Sequence, residues 1–372
     1  MRQVAESDIR TPGVTPTPSS SLVSADLEHL RAALVLAAGG SLGDPNPRVG
    51  AVVTDIRGVV VGQGLHAGAG TAHAEVVALI EAGDKARGGT AYVTLEPCAH
   101  TGRTGPCTDA LLASGIARVV YAQADPTPVA GGGAERLRAA GVEVVGGAIA
   151  DEAEALNAAW TFAHRHGRPM VTWKLATTLD GRAAAADGTS RWITGEAARA
   201  DVHDLRAACD AVLVGTGTAL VDDPSLTARH PGGSLRSRQP LRVVMGRRSI
   251  PAGARLLDES APTLHLTTHD PLVALEALWG RGIRHVLLEG GPTLAAAFLA
   301  AGLVDEVVAY VSPVLLGAGR PTVADLGITT IDSALRLEPV DVSVLGADVR
   351  IRARVAVTSS TTHRQRHPLE TA

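Results

Sequence analysis

Apolar residues recur at helical spacing over residues 26–38, where Asp26 stands ready to cap the start of a helix. Two short β-rich runs, 49–54 and 59–64, flank an Asp55–Gly58 turn and predict a hairpin. Helical stripes then follow at 74–81, 107–114 and 151–164, with strand patterns at 90–95, 119–122 and 142–145. The run breaks at His166-Gly167-Arg168-Pro169, and alternation restarts beyond it. Strands are expected at 170–175, 211–215, 241–245, 263–267 and 285–288, a helix at 198–207, and late strands at 307–311 and 349–355. Such alternation argues for two α/β domains, the second built on a mostly parallel sheet.

The expected domains are 24–165 and 170–357, with disordered tails at 1–23 and 358–372 that are rich in Pro, Ser, Thr and charge. The chain of 372 residues is long enough for two cores. No stretch of 18 apolar residues and no secretory h-region is visible, which predicts a cytoplasmic protein that does not engage membranes. A net charge of −4 gives no pull toward nucleic acid. Three cysteines, two of them in one motif, imply no disulfide framework, and Cys209 reads as a small core residue.

Chemistry concentrates in His73-Ala74-Glu75, Pro97-Cys98 and Pro106-Cys107. One imidazole and two thiolates leave the fourth position of a zinc ion to water, the arrangement of a catalytic site. Glu75 is then free to carry protons. A closed structural knuckle needs a fourth ligand, for which His100 is the local candidate, and it leaves Glu75 unexplained. His73 and Cys107 are each expected to open a helix, whose positive end favours thiolate.

In the second half two glycine-rich turns follow apolar strands, Gly215-Thr216-Gly217-Thr218 and Glu289-Gly290-Gly291-Pro292-Thr293. Bare backbone there lets N–H groups approach a phosphate, and Pro292 suits the start of a helix. Neither turn matches G-x-G-x-x-G, because Leu220 stands in the third glycine's place. Lys174, one of only two lysines, interrupts an apolar strand and needs a partner there. Arg206 reads either as a ligand group or as part of a solvated face with Asp201 and Asp204. Pattern alone supports a phosphate-bearing ligand.

Together these residues resemble the bifunctional riboflavin-biosynthesis enzymes, a pyrimidine deaminase fused to a pyrimidine reductase. The likeness covers about residues 25–355. It rests on Asp44-Pro45-Asn46-Pro47-Arg48, Gly64-Leu65-His66, His73-Ala74-Glu75 and Thr94-Leu95-Glu96-Pro97-Cys98, with eight residues between the cysteines. In the second half it rests on Lys174-Leu175, Leu179-Asp180-Gly181-Arg182, Trp192-Ile193-Thr194, Asp222-Asp223-Pro224 and the Glu289 turn. The resemblance implies an N-terminal cytidine-deaminase-like three-layer α/β/α domain and a C-terminal dihydrofolate-reductase-like α/β domain. It implies one zinc per chain, NADPH as reductant and a phosphoribosyl-pyrimidine substrate, and a homo-oligomer is expected from sheet or helix faces free to pair subunits.

By the same resemblance, Asn46, His66 and Arg103 hold the pyrimidine and its phosphate in the deaminase half. Lys174, Ser190, Arg206, Leu226, Arg229 and Glu289 meet the reductase substrate, with Lys174 either anchoring substrate or simply ion-paired to Glu289. Ala176, Trp192, Thr218, Asp222 and the segment Gly291, Pro292, Thr293, Leu294, Ala295, Ala296 and Ala297 meet the cofactor. One departure stands out: Gly246-Arg247-Arg248 replaces the Asp-Ser of many relatives. Arg247 or Arg248 either grips the 2′-phosphate of NADPH or is a solvated loop arginine. The rival function is a zinc deaminase of nucleotides or nucleic-acid bases with a non-catalytic, ligand-binding C-terminal half. Four Trp, three Tyr and two Phe in an acidic chain argue against a groove for nucleic acid.

Overall fold

The computed structural model describes residues 22–101, 105–127 and 130–356. The described residues cluster into two compact units, one within 22–40 and 48–157, the other within 41–47 and 158–356. Arg103 and, apart from Leu22 and Val23, the expected tails lie outside the described residues.

The first unit runs α1 (Ser24–Ala38), β1 (Gly50–Thr54), β2 (Val60–Leu65), α2 (Ala74–Ala82), β3 (Thr90–Leu95), α3 (Cys107–Ala113), β4 (Arg118–Gln123), α4 (Gly133–Ala139), β5 (Glu143–Gly146) and α5 (Ala150–Leu156). Its sheet order is β2-β1-β3-β4-β5, antiparallel through the hairpin and into β3, then parallel. All of β1 is buried, because both faces are covered. Val52 joins Leu30, Ala33, Tyr92, Val120 and Ala153 under α1 and α5. Ala51 and Val53 pair with Gly64 and Gly62 and share their face, which lies under α2. Gly62 and Gly64 let α2 lie directly on β2: a Cβ at either would come within 2.1 Å of a carbonyl oxygen, of Ala78 and Ala74 respectively.

Asp26 stabilises the start of α1 from inside the helix rather than at its cap. Val23 occupies the cap position, and Asp26 Oδ2 accepts its N–H at 2.9 Å. The same carboxylate takes a fork from Arg118 and a hydrogen bond from the Tyr92 hydroxyl, tying α1 to β3 and β4. The single helix expected over 151–164 is two. Asn157 interrupts it, exchanging a pair of 2.9 Å hydrogen bonds with the backbone of Arg48. That competition between side chain and helix is what Asn is suited to win.

The second unit comprises α6 (Ala158–His166), β6 (Met170–Thr178), β7 (Arg182–Ala184), α7 (Glu196–Ala208), β8 (Ala211–Gly215), α8 (Thr216–Asp222), β9 (Leu241–Met245), β10 (Thr263–Leu266), α9 (Pro271–Trp279), β11 (His285–Leu288), α10 (Pro292–Ala300), β12 (Glu306–Ser312), β13 (Arg320–Pro321), β14 (Leu337–Leu345) and β15 (Asp348–Val355). Eight strands form one sheet in the order β10-β9-β8-β11-β6-β12-β15-β14. Pairing is parallel from β10 to β12 and antiparallel across β15 and β14. Alternation sorts the core: Leu213, Val243, Val286 and Leu288 pack with Leu275 of α9 and Phe298 of α10. Val212, Val214, Val244 and Leu287 face the other way, with Cys209, as expected, fully buried among them. The carboxyl ends of the parallel strands, where such sheets bind ligands, carry both glycine-rich turns.

Candidate active sites

In the first unit, His73 caps α2, Glu75 lies in that helix's first turn, and Cys107 is the first residue of α3. Cys98 follows β3. His73, Cys98 and Cys107 offer ligand atoms that all lie within 4.8 Å of one another. His73 Nδ1 is 3.0 Å from Cys107 Sγ and 3.6 Å from Cys98 Sγ, while the Cys107 N–H donates to Cys98 Sγ at 3.4 Å. Tetrahedral zinc with bonds near 2.0 Å to nitrogen and 2.3 Å to sulfur requires N···S separations of roughly 3.5 Å, so the donor set fits. His100 is not part of the cluster, which leaves one corner free of described protein ligands.

The two thiols share one proton unequally. Hydrogen bonding from Cys107 outweighs burial and, with His73 adding to it, holds the Cys98 thiol down to about 4. The Cys107 thiol, sharing that proton and buried, is pushed up. Burial raises the Glu75 carboxyl, helped by the neighbouring Cys98 and opposed by His73. A carboxyl so placed suits proton carriage. His66 is buried with its ring edge-on to His73, centroids 5.4 Å apart, and its Nδ1 bonded to the Ala72 carbonyl at 3.1 Å. Asn46 stands in segment 41–47, which clusters with the second unit, and its N–H is bonded to Asp44. Glu96, two residues before Cys98, ties that segment to the loop after β4 and the first turn of α4 by accepting the N–H groups of Asp125 and Ala134, a role pattern reading did not reveal.

In the second unit, Arg206 and Glu289 form a forked pair at 2.6 and 2.9 Å, nearly closed to solvent. The solvated reading of Arg206 is therefore wrong: its third nitrogen donates to the Thr227 carbonyl at 3.1 Å. Burial alone would raise Glu289, but Arg206 and Lys174 hold its carboxyl down to about 2. Lys174 is lowered by burial, partly offset by Glu289. Arg229 Nε donates to the Thr227 hydroxyl, and His203 Nδ1 meets the Thr227 carbonyl. Thr227 thus gathers three cationic or ionisable side chains. His203 escaped notice in the chain, although it lies three residues from Arg206 and so shares its helix face. Leu226 is buried in the core with a φ of 51°, and Ser190 is exposed.

Beside this cluster a cavity of about 710 Å³ is lined by Thr218, Asp222, Gly291, Pro292, Thr293, Leu294 and Ala297. Thr216, Gly217, Met245, Arg248, His269 and Arg320 also line it. Ala176, Trp192, Ala295 and Ala296 are not in that lining. Ala295 is fully buried under α10, and the Trp192 ring, 70 % exposed, is covered by Arg199 at 4.6 Å. The volume and the mix of apolar wall with a few polar groups suit a cofactor.

Comparisons with known proteins follow the same division. Residues 23–123 match the cytidine and deoxycytidylate deaminase zinc-binding region, and 169–351 match the RibD C-terminal domain. The chain is 52 % identical to the riboflavin biosynthesis protein RibD of Mycobacterium tuberculosis strain H37Rv, over 82 % of this chain and 90 % of that protein. It is 42 % identical to RibD of Escherichia coli K12, over 82 % and 92 %. Among solved structures, RibD of Acinetobacter baumannii superposes with a TM-score of 0.81 at 39 % identity, covering 89 % of this chain and 99 % of that one. A diaminohydroxyphosphoribosylaminopyrimidine deaminase/5-amino-6-(5-phosphoribosylamino)uracil reductase from Thermotoga maritima gives 0.81 at 34 % identity with the same coverage.

Proposed function

Because the chain belongs to the RibD family of riboflavin-biosynthesis enzymes, a zinc deaminase domain joined to a reductase domain, we propose residue roles for two successive reactions. The first removes the C2 amino group of 2,5-diamino-6-(5-phosphoribosylamino)pyrimidin-4(3H)-one as ammonia. The second reduces the ribosyl side chain of 5-amino-6-(5-phosphoribosylamino)uracil to ribityl. The observation that carries the first assignment is the convergence of His73, Cys98 and Cys107 beside a buried Glu75.

His73, Cys98 and Cys107 hold the zinc, which when bound supplies an acidified water as nucleophile. Glu75 accepts the proton released as water adds to C2 and returns one to the departing amine, so that the same carboxyl serves both halves of the exchange. His66, packed edge-on to His73, is placed to meet the pyrimidine, and the family resemblance gives Asn46 and Arg103 to the substrate as well.

NADPH supplies the hydride when bound in the second unit's cavity. Thr218, Asp222 and the Gly291–Ala297 turn and helix hold it, while the Arg206–Glu289 pair, Arg229 and Lys174 fix the substrate beside it. Pairing with Glu289 neutralises much of Arg206, which makes Arg229 the stronger candidate for the ribose phosphate. Lys174, buried next to Glu289, anchors the sugar near the carbon that accepts hydride.

Small molecules are the partners on this reading, with no nucleic acid and no membrane. No helix among the described residues is long and apolar enough to cross a bilayer. A cytoplasmic location matches the free thiols of Cys98 and Cys107. Edge strand β14 exposes Val340, Val342 and Val344, which supports a homo-oligomer. A coupled assay with the diaminopyrimidine phosphate, zinc and NADPH tests both reactions. Ammonia without NADP formation would leave a deaminase with a silent second half. A zinc-loaded protein that releases no ammonia from the diaminopyrimidine phosphate yet oxidises NADPH when given the deaminated intermediate would refute the deaminase assignment.

A further inference from the structure

The cavity of the second unit carries an unequal distribution of charge. Its lining among the described residues has one carboxylate, Asp222, and three cationic or ionisable side chains, Arg248, His269 and Arg320. Two of these stand at the outer end of the sheet. Arg248 follows β9, and His269 follows β10, the edge strand. Lys174 lies on β6, three strands inward from β9. At about 4.8 Å per strand that is roughly 14 Å, a span that a dinucleotide crosses and a mononucleotide does not.

Local geometry separates Arg248 from its neighbour Arg247. Both arginines are exposed, but Arg248 lines the cavity and Arg247 does not. Arg248 Nε donates to the buried Thr216 hydroxyl at 3.3 Å. A Cβ on Gly217 would sit 3.3 Å from its Nη2, so the guanidinium lies close over bare backbone. Gly246 makes this approach possible. Its φ is +135°, and a side chain there would meet the Thr216 hydroxyl at 2.7 Å. The turn is closed by His265 Nε2 on the Gly246 carbonyl, 2.7 Å away. No carboxylate among the described residues forms an ion pair with Arg248 or Arg320. A planar cation tethered to one neutral hydroxyl keeps most of its donors for a ligand, and its fork matches phosphate oxygens.

We infer that Arg248 is the residue that recognises the 2′-phosphate of NADPH and so sets the preference for NADPH over NADH. Arg320 adds positive potential to the same cavity, and His269 offers it a ring nitrogen. This rests on the cavity being the dinucleotide site, and that premise is tested separately.

Affinities are measured by nicotinamide fluorescence and calorimetry on the full-length protein, for NADPH and NADH, with 2′,5′-ADP and 5′-AMP as fragment probes. Arg248→Ala is expected to weaken NADPH and 2′,5′-ADP by about 10- to 100-fold, the loss of charge-assisted hydrogen bonds, and to leave NADH and 5′-AMP within about twofold. Arg248→Lys should recover part of the loss, and Arg247→Ala should change neither ligand. Equal losses for NADPH and NADH in Arg248→Ala, or no loss for either, would overturn the inference. Thr218→Trp, which fills the cavity, checks the premise: if it still binds both dinucleotides, the site lies elsewhere and the cavity reading fails. If it binds neither, the site is secure and the Arg248 result alone decides.

Discussion

Arg206 and Glu289, 83 positions apart in the chain, meet as a forked ion pair in which both side chains are almost closed to solvent. The pair joins α7 to the turn after β11, so the substrate-facing groups of the reductase half also brace its fold. Removing one member leaves the other buried and uncompensated, a loss of about 3–5 kcal/mol. Glu289→Ala and Arg206→Ala should therefore each destabilise the second unit strongly. The double variant should cost less than the sum of the singles, and urea denaturation of the four proteins gives the coupling energy.

The same pair fixes a pH dependence. Glu289 has an ordinary value of 4.5 and is held down to about 2 in the folded state. A depressed carboxyl contributes stability that is fully present above its unfolded value and is lost as pH falls through the folded one. The stability gap between the parent protein and Glu289→Gln should thus be constant near neutral pH. It should narrow as the pH drops below 4.5 and close near 2. A gap that widened on acidification would mean that Glu289 is protonated in the folded protein.

Glu75→Gln isolates proton carriage from metal binding. Glutamine keeps the shape and leaves His73, Cys98 and Cys107 in place, so zinc content should remain near one per chain by atomic absorption. Ammonia release should fall by about 10²- to 10⁴-fold, the usual worth of a positioned acid–base group. NADPH oxidation on the deaminated intermediate should be unchanged, since Glu75 belongs to the other unit. Undiminished deamination would remove Glu75 from the mechanism.

The motifs that could be read from the chain were local ones. His73, Glu75, Cys98 and Cys107 announce themselves because ligand type and spacing are written within 35 residues, and the strands that deliver them have clear apolar runs. Apart from the neighbourhood of Lys174 and Glu289, which the resemblance suggested, relationships between distant positions were not visible. His269 and Arg320 join Arg248 only because the loops after β9 and β10 and strand β13 converge on one cavity. Arg206 could not be told from a solvated residue, since its partner Glu289 lies so far along the chain. Strand β14 went unseen for a different reason. Pro339 interrupts its alternation and sits at a register shift, which an edge strand tolerates and a pattern reader takes as a break. The 151–164 stripe hid its interruption because Asn157 is a poor signal until its partner, the Arg48 backbone, is known.

Gly64 tests whether the metal site depends on how closely α2 lies against β2. A Cβ there would sit 2.1 Å from the Ala74 carbonyl oxygen and 2.7 Å from the Ala78 nitrogen, both backbone atoms that cannot rotate away. Gly64→Ala must therefore lift the first turn of α2, the turn that carries His73 and Glu75. Overpacking of this kind costs about 1–3 kcal/mol. The larger effect should fall on geometry, because a shift of a few tenths of an ångström moves one zinc ligand against two that stay fixed. Zinc affinity, titrated against a chromogenic chelator, should drop by at least about tenfold, and ammonia release should drop with it. Reductase turnover on the deaminated intermediate should be retained. If zinc affinity survives while only stability falls, the helix adjusts as a rigid body with its ligands, and close packing at Gly64 serves the fold alone.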